Sequence, residues 1–487
     1  MIPLDRDSSV PLAGQIEAGL AARIGDGRLA PGMRLPSIRQ LAAQLAVSPN
    51  TVVLAYDRLV AAGLIESRGT IGYLVCETES PPPELEPLEA GEEQDPVWLA
   101  QQASDQRPGV LLASSGALPL AWLEDGIPAS LVQRALAACT GGMAARCPAQ
   151  GLPALRERIA MLMRSQGIAA DAGRVMTTFG ATQALDLICR AFLRPGDRVL
   201  VEDPGFFLMF GRLRQAGVDV VPITRRPDGL DLAELEAALA EHRPRMLFVQ
   251  SVLHNPTGWG SSAANLHRLL TLAERYDLLI AEDDVHGHFL PGQATRLAQL
   301  SGLSRVIYFS SFCKALSPAL RLGWLAAEPA LLKPLLREKV YSVLTTPALN
   351  EFVLLELLAS GRFRKHVERL QQKLAQARIA SISRLQQAGI VFEDGVGEGG
   401  LFLWGRVPQG VDIELLAKDA WRNRIVLAGG ASFRARPLAA DGWLRFNVAH
   451  SQHPRLADYL TQRFQALSAG GSTLSRLASM PLDGLPT

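Results

Sequence analysis

Cysteine is sparse in this chain, and its distribution argues against two classes of small stabilised domain. The 487 residues include five cysteines: Cys76, Cys139, Cys147, Cys189 and Cys313. Their number is odd and no two form a Cys-x-x-Cys pair, which argues against a disulfide framework and a zinc ribbon. Scattered cysteines of this kind are typical of a protein from a reducing cytoplasm.

Histidine clusters suited to a metal are also lacking. The two close pairs are His286 with His288 and His450 with His453. Neither pair has cysteines or convergent carboxylates at ligand spacing on a recognisable metal-binding pattern. Ordinary polar roles are therefore expected for these histidines, and no metal site is predicted.

An apolar run of membrane-spanning length and a strong net charge are both missing. The formal net charge is +1, so any contact with nucleic acid must come from local clustering of basic residues. Residues 1–7 include acidic side chains and no apolar core of a signal peptide. These absences predict a cytoplasmic protein without a membrane partner.

Basic residues are missing from one segment that is rich in acid and proline. Residues 77–96 contain eight acidic side chains, no Lys or Arg, and the run Pro81-Pro82-Pro83. Such a composition cannot build a core and predicts an extended, self-repelling linker. We expect a head at residues 1–76, a linker at residues 77–110, a larger body at residues 111–468 and a loose Gly/Ser/Pro-rich tail at residues 469–487.

Residues 1–76 show a pattern of three short helices. The first is predicted from Leu12 to Gly25, and the second opens at Pro36-Ser37. The third opens at Ser48-Pro49, because serine is a good N-cap and proline suits the first helical position. Helical spacing predicts one buried stripe on the third helix, formed by Val52, Tyr56, Leu59 and Val60.

Two short strands follow these helices. Leu64 to Ser67 and Tyr73 to Val75 flank residues 68–72, which contain glycine and read as the turn of a hairpin. Helix, short turn, helix and hairpin make up the winged helix-turn-helix arrangement. Small polar residues start the third helix and arginines surround it, so we expect contacts with DNA from Arg34, Arg39, Ser48, Asn50, Thr51 and Arg68.

The segments 34–42 and 47–59 resemble the GntR-type DNA-binding domain, and the resemblance covers residues 8–76. It implies double-stranded DNA as a partner, with the hairpin entering the minor groove and with Ser37, Arg68, Thr70 and Gly72 also near the DNA. Val53 departs from the family, in which an arginine is common at that position. Residues 1–76 carry seven Arg, no Lys and six acids, so a protein-binding helical module with solvated arginines is the alternative.

From about Leu111 onward, apolar strands alternate with helical stretches, which predicts a mostly parallel α/β sheet wrapped by helices. In such sheets, ligands bind at the carboxyl ends of the strands. The predicted strands are Arg174 to Thr178, Arg198 to Glu202, Arg245 to Val252, Leu278 to Glu282, Val306 to Ser310 and Leu322 to Ala326.

Two motifs that follow strands provide polar groups for a ligand. Residues 179–183, Phe-Gly-Ala-Thr-Gln, place small residues at a helix N-terminus, where backbone N–H groups and the helix dipole favour an anion. Residues 254–258, His-Asn-Pro-Thr-Gly, hold Asn255 in a tight turn at a strand end, from which its amide can donate to a phenolate oxygen. Either motif alone is also compatible with an ordinary turn.

Two further motifs supply ionisable groups. Glu282-Asp283-Asp284 ends a strand and offers a carboxylate for a protonated pyridine nitrogen, although a solvated acidic loop is the alternative. Lys314 lies among small and apolar residues whose desolvation suits it to a Schiff base, and the alternative is a surface lysine. Ser311 and Arg321 are natural partners for phosphate.

Together these motifs resemble the fold-type-I aminotransferases over residues 111–468. The resemblance implies a large pyridoxal 5'-phosphate (PLP) domain with a parallel-rich sheet at residues 111–330 and a smaller C-terminal α/β domain at residues 331–468. It implies that Lys314 is the Schiff-base lysine, that Asp283 pairs with the pyridine nitrogen and that Arg445 binds a substrate α-carboxylate. The other cofactor contacts implied are Gly180, Ala181, Thr182, Phe206, Asn255, His286, Ser311 and Arg321.

Two positions depart from the aminotransferase pattern. His286 occupies the place of a tyrosine three residues after the ring aspartate, and Cys147 replaces a tyrosine of a segment that crosses the dimer. Because both lost hydroxyl groups contact PLP in the family, we expect these departures to affect catalysis more than cofactor binding.

The order of a GntR-type head and an aminotransferase-like body resembles the MocR-type regulators over almost the whole chain. This resemblance implies a homodimeric, DNA-binding transcription regulator whose PLP domain senses an amino compound. The alternatives are an active aminotransferase with a DNA-binding appendage and a PLP-binding interaction module. Weak transamination is compatible with the leading interpretation.

Overall fold

The computed structural model forms two compact units, Met1–Leu85 and Glu86–Thr487. It describes residues 4, 10–25, 29, 32–61, 64–67, 72–76, 96–105, 107, 109–139, 141–144, 146–393, 395–436 and 441–468. The predicted wing residues Arg68 and Thr70, most of the acidic segment and the tail lie outside these ranges. None of the helices in the described residues combines the length and apolar character that crossing a bilayer requires.

The N-terminal unit has the predicted winged helix-turn-helix arrangement. Its helices are α1 (Leu12–Gly25), α2 (Ile38–Leu45) and α3 (Pro49–Ala61). Strands β1 (Ile65–Ser67) and β2 (Tyr73–Val75) pair antiparallel. All five elements lie within two residues of their predicted bounds, because the caps and the apolar spacing are local signals.

One position of the predicted stripe on α3 is wrong. Val52, Tyr56 and Leu59 are buried in the core of this unit, whereas Val60 is 40% exposed. Ala55 completes the buried face instead. The spacing i, i+3, i+4, i+7 keeps these four residues on one side of the helix, and the residue after Leu59 turns a further 100° away from the core.

Side-chain caps fix the starts of α2 and α3. Ser37 and Gln40 form a capping box, in which the Ser37 hydroxyl accepts from the Gln40 backbone N–H and the Gln40 side chain accepts from the Ser37 N–H. Ser48 Oγ accepts from the Thr51 backbone N–H at 3.1 Å. Ala46 adopts a left-handed conformation, with φ of 52°, and ends α2. The turn between the two helices is therefore set by local hydrogen bonds.

The C-terminal unit is built around an eight-stranded sheet with the order β3-β10-β9-β8-β7-β4-β5-β6. Strands β3 to β10 comprise Val175–Thr178, Arg198–Asp203, Asp219–Arg226, Gly229–Leu230, Met246–Val249, Leu279–Asp283, Val306–Ser311 and Gly323–Ala326. The pairs β4–β5, β4–β7, β7–β8 and β8–β9 are parallel, and β10 runs antiparallel to both β3 and β9. All six predicted strands are present, and β5 and β6 are additional.

Helices cover this sheet, and a three-stranded sheet of order β11-β13-β12 follows it in the chain. These strands are β11 (Phe402–Arg406), β12 (Ala428–Gly429) and β13 (Trp443–Asn447). Helices α4 to α18 comprise Pro96–Asp105, Leu120–Leu123, Ala129–Ala138, Pro153–Ser165, Gly180–Phe192, Phe207–Gln215, Leu232–His242, Ala263–Arg275, Leu297–Ser301, Pro329–Val343, Ala348–Ala359, Arg362–Gln387, Ile413–Arg422, Val448–Ser451 and Pro454–Ser468. The α/β class with a parallel-rich sheet is confirmed.

Helix α4 lies inside the segment 77–110 that was predicted to be linker. Leu99 is buried, and the Trp98 ring packs edge-on against Trp421 at 5.2 Å between centroids. This helix therefore packs on the C-terminal unit. The other predicted domain boundaries, including the division at residue 330, stay predictions.

Candidate functional site

A cradle for an anion forms where β3 leads into α8. Gly180 begins this helix with φ of +72°, a conformation that favours glycine. A Cβ there would lie 3.3 Å from Arg321 Nη2. Ala181 is half-buried and Thr182 is exposed, so the helix N-terminus is accessible from solvent. Its free backbone N–H groups and dipole suit a phosphate.

Ser311 and Arg321 lie beside this helix start. Gly323 of β10 pairs with Ser311 on one side and with Thr178 on the other, which brings the ends of three strands together. Arg321 is exposed and donates from Nη2 to the Phe179 carbonyl at 3.5 Å. Ser311 is buried, and its hydroxyl donates to the Leu322 carbonyl at 3.2 Å while accepting from the Cys313 N–H. Arg321 is thus the more accessible partner for an anion.

Asp283 and Phe206 line one cavity, together with Gln250. Asp283 accepts from Gln250 Nε2 and from the Val285 N–H, both at 3.0 Å. Burial raises the pKa of Asp283 to about 7. A cavity lined by both an aromatic ring and a carboxylate suits a protonated heteroaromatic ring.

The neighbouring acids of Asp283 have other partners. Glu282 accepts from the Ser251 hydroxyl and from the backbone N–H groups of Leu297 and Ala298. Asp284 pairs with Arg296 at 2.7 Å and accepts from the Tyr308 hydroxyl. Asp283 is therefore the acid of the three that faces the cavity.

Lys314 follows β9 and reaches a carbonyl far away in the sequence. Its Nζ donates to the Gly116 carbonyl at 2.7 Å. Burial, with Arg445 nearby, lowers the pKa of Lys314 to about 8. A larger fraction of its amine is therefore unprotonated near neutral pH than in an exposed lysine, as a nucleophilic lysine requires.

Arg445 lies near Lys314 and forms a hydrogen-bonded pair with Asn255. Arg445, on β13, is 2% exposed, and its Nη1 donates to Asn255 Oδ1 at 2.8 Å. Its Nε and Nη2 both donate to the Ser114 carbonyl. The guanidinium lies 4.6 Å from the ring centroids of Phe402 and Phe433. These contacts hold the planar fork in one orientation.

His286 is buried beside these groups. Its Nδ1 has no hydrogen-bond partner among the described residues, and its ring packs edge-on against Phe402 at 5.1 Å. Burial and the positive charges of Lys314 and Arg445 hold the pKa of His286 well below its usual value. An orphaned buried nitrogen in this position is available to a ligand.

Cys147 is also buried, and its charged neighbours are Glu351 and Lys339. Burial and the nearby Glu351 carboxylate raise the pKa of its thiol to about 12. Glu351 accepts from the Leu152 N–H at 2.6 Å and from the Thr177 hydroxyl at 2.7 Å. Cys147 therefore belongs to a buried network that supports the start of α7 and the strand β3.

Several residues of the site were not predicted from the sequence. Gly116 and Ser114 contribute carbonyl groups, Phe402 and Phe433 cover Arg445, and Gln250 contacts Asp283. Gln250, a polar residue at the end of an apolar strand, was the one detectable signal. The others are ordinary residues whose role depends on contacts across the fold.

In the N-terminal unit, the described DNA-contact candidates lie on the surface. Arg34, Ser37, Arg39, Ser48 and Asn50 are exposed, and Thr51 is half-buried. Gly72 has φ of +100°, and a Cβ there would lie 3.5 Å from Arg34 Nε. Arg34 beside Gly72, and Ser48 and Asn50 at the start of α3, thus present basic and polar groups to solvent.

Two families match this chain. Residues 109–462 match the family described as aminotransferase class I and II, and residues 12–75 match the bacterial regulatory proteins of the gntR family. Together these matches span both compact units.

Similar proteins include regulators and an enzyme. The HTH-type transcriptional regulator YdcR of Escherichia coli is 28% identical over 89% of this chain and 93% of its own length. The probable rhizopine catabolism regulatory protein MocR of Rhizobium meliloti is 29% identical over 77% of each chain. The 2-aminoadipate transaminase of Thermus thermophilus is 30% identical over 74% of this chain and 91% of its own length.

A solved structure shares the fold of the C-terminal unit. The α-aminoadipate aminotransferase LysN of Thermus thermophilus, complexed with N-(5'-phosphopyridoxyl)-L-leucine, superposes with a TM-score of 0.66 and 27% identity. The match covers 74% of this chain and 94% of the other.

Proposed function

The chain belongs to the class I and II aminotransferases and, through its GntR-family head, to the MocR-type regulators, and we propose that its aminotransferase-like unit is the sensor of a small amino compound. The protein is a helix-turn-helix transcription regulator with pyridoxal 5'-phosphate as the cofactor of its family. The observation that carries the sensor proposal is the desolvated amine of Lys314, held beside Arg445 and Asn255.

The residues present fit this cofactor. The helix start at Gly180 and the exposed Arg321 would hold the phosphate. Asp283 would face the pyridine nitrogen, with Phe206 against the ring. The orphaned His286 Nδ1 is a buried polar atom for which the described part of the chain supplies no partner. When bound, PLP supplies an electrophilic carbon and an electron-accepting ring.

The polar groups of this chain would then select the effector. Lys314 Nζ would hold or release a proton near neutral pH. Arg445 would bind a carboxylate through its fork, and its three-sided cover of Phe207, Phe402 and Phe433 excludes water from that contact. These features support capture of an amino acid or a similar amine. Turnover, if present, is expected to be weak because His286 replaces a phenolic hydroxyl.

The head would bind double-stranded operator DNA in the cytoplasm, as a homodimer formed by the aminotransferase-like units. Exposed Arg34, Arg39 and Asn50 at the helix-turn-helix support contacts with phosphates and bases. Aminotransferase folds commonly place the site at a subunit interface, and a closed two-fold dimer suits an operator with two half-sites. The second candidate, an active aminotransferase with a DNA-binding appendage, is supported by the presence of Lys314, Asp283 and Arg445.

A paired measurement tests this function. Borohydride reduction of the PLP-reconstituted protein should leave a mass adduct on the peptide containing Lys314, and Lys314→Ala should lose it. Amines that shift the cofactor absorbance should also change operator affinity, while turnover stays far below about 10 per second, a typical enzyme rate. Ordinary turnover together with DNA affinity that ignores every such amine would support the enzyme instead.

A further inference from the structure

Gln250 connects two residues of the candidate site. It follows β7 directly and is 5% exposed. Its Nε2 donates to Asp283 Oδ2 at 3.0 Å, and its Oε1 accepts from the Asn255 backbone N–H at 2.8 Å. Because one end of the amide meets a carboxylate and the other meets an N–H group, only one orientation of the amide satisfies both contacts.

The backbone of Gln250 is fixed from the neighbouring strands. Its N–H donates to Glu202 Oε2 at 2.7 Å, and the other oxygen of Glu202 accepts from Arg225 Nη1 at 2.7 Å. Both side chains of this ion pair are buried, with 3% and 0% exposure. The chain of contacts from Arg225 through Glu202 therefore restrains Gln250 against the sheet, so its amide is held in place before any ligand binds.

Asp283 depends on this amide. Among the described residues, its hydrogen-bond donors are the Val285 N–H and Gln250 Nε2. Burial favours the protonated carboxyl, while hydrogen bonds to the carboxylate favour the ionised form. Two donors are few for a buried carboxylate, so the loss of either one should be felt.

Resting on the proposed function, we infer that Gln250 is a positioning residue for the cofactor, which holds Asp283 ionised and oriented toward the pyridine nitrogen while fixing the turn that carries Asn255. It acts through these two residues and takes no part in proton transfer. The same bridge joins the ring side of the site to the Arg445 side, because Asn255 Oδ1 accepts from Arg445.

Two substitutions in the full-length protein test this inference. Gln250→Met keeps the length of the side chain but removes both contacts, and we expect PLP to bind about ten- to hundredfold more weakly, the worth of one or two buried charge-assisted hydrogen bonds. Gln250→Glu keeps the acceptor for Asn255 but donates to Asp283 only when the introduced carboxyl is protonated. Its PLP affinity should match that of the wild type at mildly acidic pH and fall more steeply as pH rises.

The pH arm distinguishes positioning from a packing role, because a packing defect would not depend on protonation of position 250. The charged groups in the hydrogen-bond network around position 250 are Glu202, Asp283 and Arg225. They are the same in the wild type and in Gln250→Glu. Asn423→Leu is the matched control, since Asn423 Nδ2 donates to the Asp419 carbonyl far from these contacts. It should leave PLP affinity unchanged.

The inference would be overturned by PLP affinity within twofold of the wild type in Gln250→Met. If Gln250→Met fails to unfold cooperatively, the dependence of PLP affinity on pH in Gln250→Glu decides. A pH dependence parallel to that of the wild type would overturn the inference. A wild-type protein that binds no PLP would instead reject the proposed function, so the two failures are distinguishable.

Discussion

Lys314 is the residue whose protonation makes the chemistry of the site depend on pH. Its pKa lies near 8 because burial and Arg445 disfavour the ammonium form. The free amine is the nucleophile, so the rate of PLP capture by the cofactor-free protein should rise with pH and level off above about 8. Stopped-flow absorbance at fixed PLP concentration measures this rate. A rate that still climbs steeply beyond pH 10 would indicate an ordinary exposed lysine.

Asp283 offers a second prediction at this scale, on stability. Its pKa is about 7 in the folded protein and about 3.9 in an unfolded chain. A raised pKa means that burial of Asp283 costs stability, and the cost builds as pH rises from about 4 to 7 and is constant above that. Cofactor-free Asp283→Asn should therefore be more stable than the wild type at pH 8, by up to about 4 kcal/mol, with little difference near pH 4.

Denaturant unfolding at the two pH values measures this difference. The same substitution should weaken PLP binding, because an amide is a poor partner for a protonated ring nitrogen. Equal stability of the two proteins at pH 8 would show that Asp283 is well solvated.

Helix α3 begins with one residue that stabilises the helix and another that we expect to contact DNA. Ser48 caps it through the Thr51 N–H, whereas the neighbouring Asn50 is exposed. Ser48→Ala should destabilise the head by about 1 kcal/mol and weaken operator binding. Asn50→Ala should weaken operator binding and leave thermal unfolding unchanged. Thermal denaturation and a fluorescence DNA titration on each variant separate the two roles, and equal loss of stability in both would contradict them.

The arginines of the head provide a salt-dependent test. Arg39 is exposed on α2, while Arg58 on α3 pairs with Glu17 at 3.4 Å. Arg39→Ala should weaken operator binding and reduce the slope of log affinity against log salt by about one. Arg58→Ala is the matched control and should leave that slope unchanged. The reverse pattern would place DNA on another face of the head.

At the scale of elements, local sequence signals predicted most helices and strands, whereas contacts between residues far apart in the chain could not be predicted. The helices of the head follow from caps such as Ser37 and Ser48, which depend on a few neighbouring residues. The site motifs at Asp283 and Lys314 follow from polar residues at strand ends. The role of Gly116 could not be predicted from the sequence, because its contact with Lys314 joins residues 198 positions apart. Val60 was misplaced because it lies 100° beyond Leu59 around the helix, where it faces away from the core, and Ala55 completes the buried face instead.

The whole molecule joins a small head with its own core to a large unit through a segment of acidic composition. If the large units form the homodimer, two heads reach two half-sites together, which raises affinity through effective concentration. Residues 1–76 alone should bind a two-site operator at least about a hundredfold more weakly than the full chain. Gel-shift titration of both proteins tests this, and equal affinities would contradict it.

Arg445 has a consequence for how an effector binds. Its guanidinium is buried from water by the protein itself, bonded to a backbone carbonyl and covered by phenyl rings. A carboxylate that arrives there releases little ordered solvent from the protein side, so the entropic contribution of dehydration is small. Calorimetry should accordingly report heat release as the main driving term, with only a modest change in heat capacity. The sensor would then respond more strongly to a given effector in the cold than in the warm.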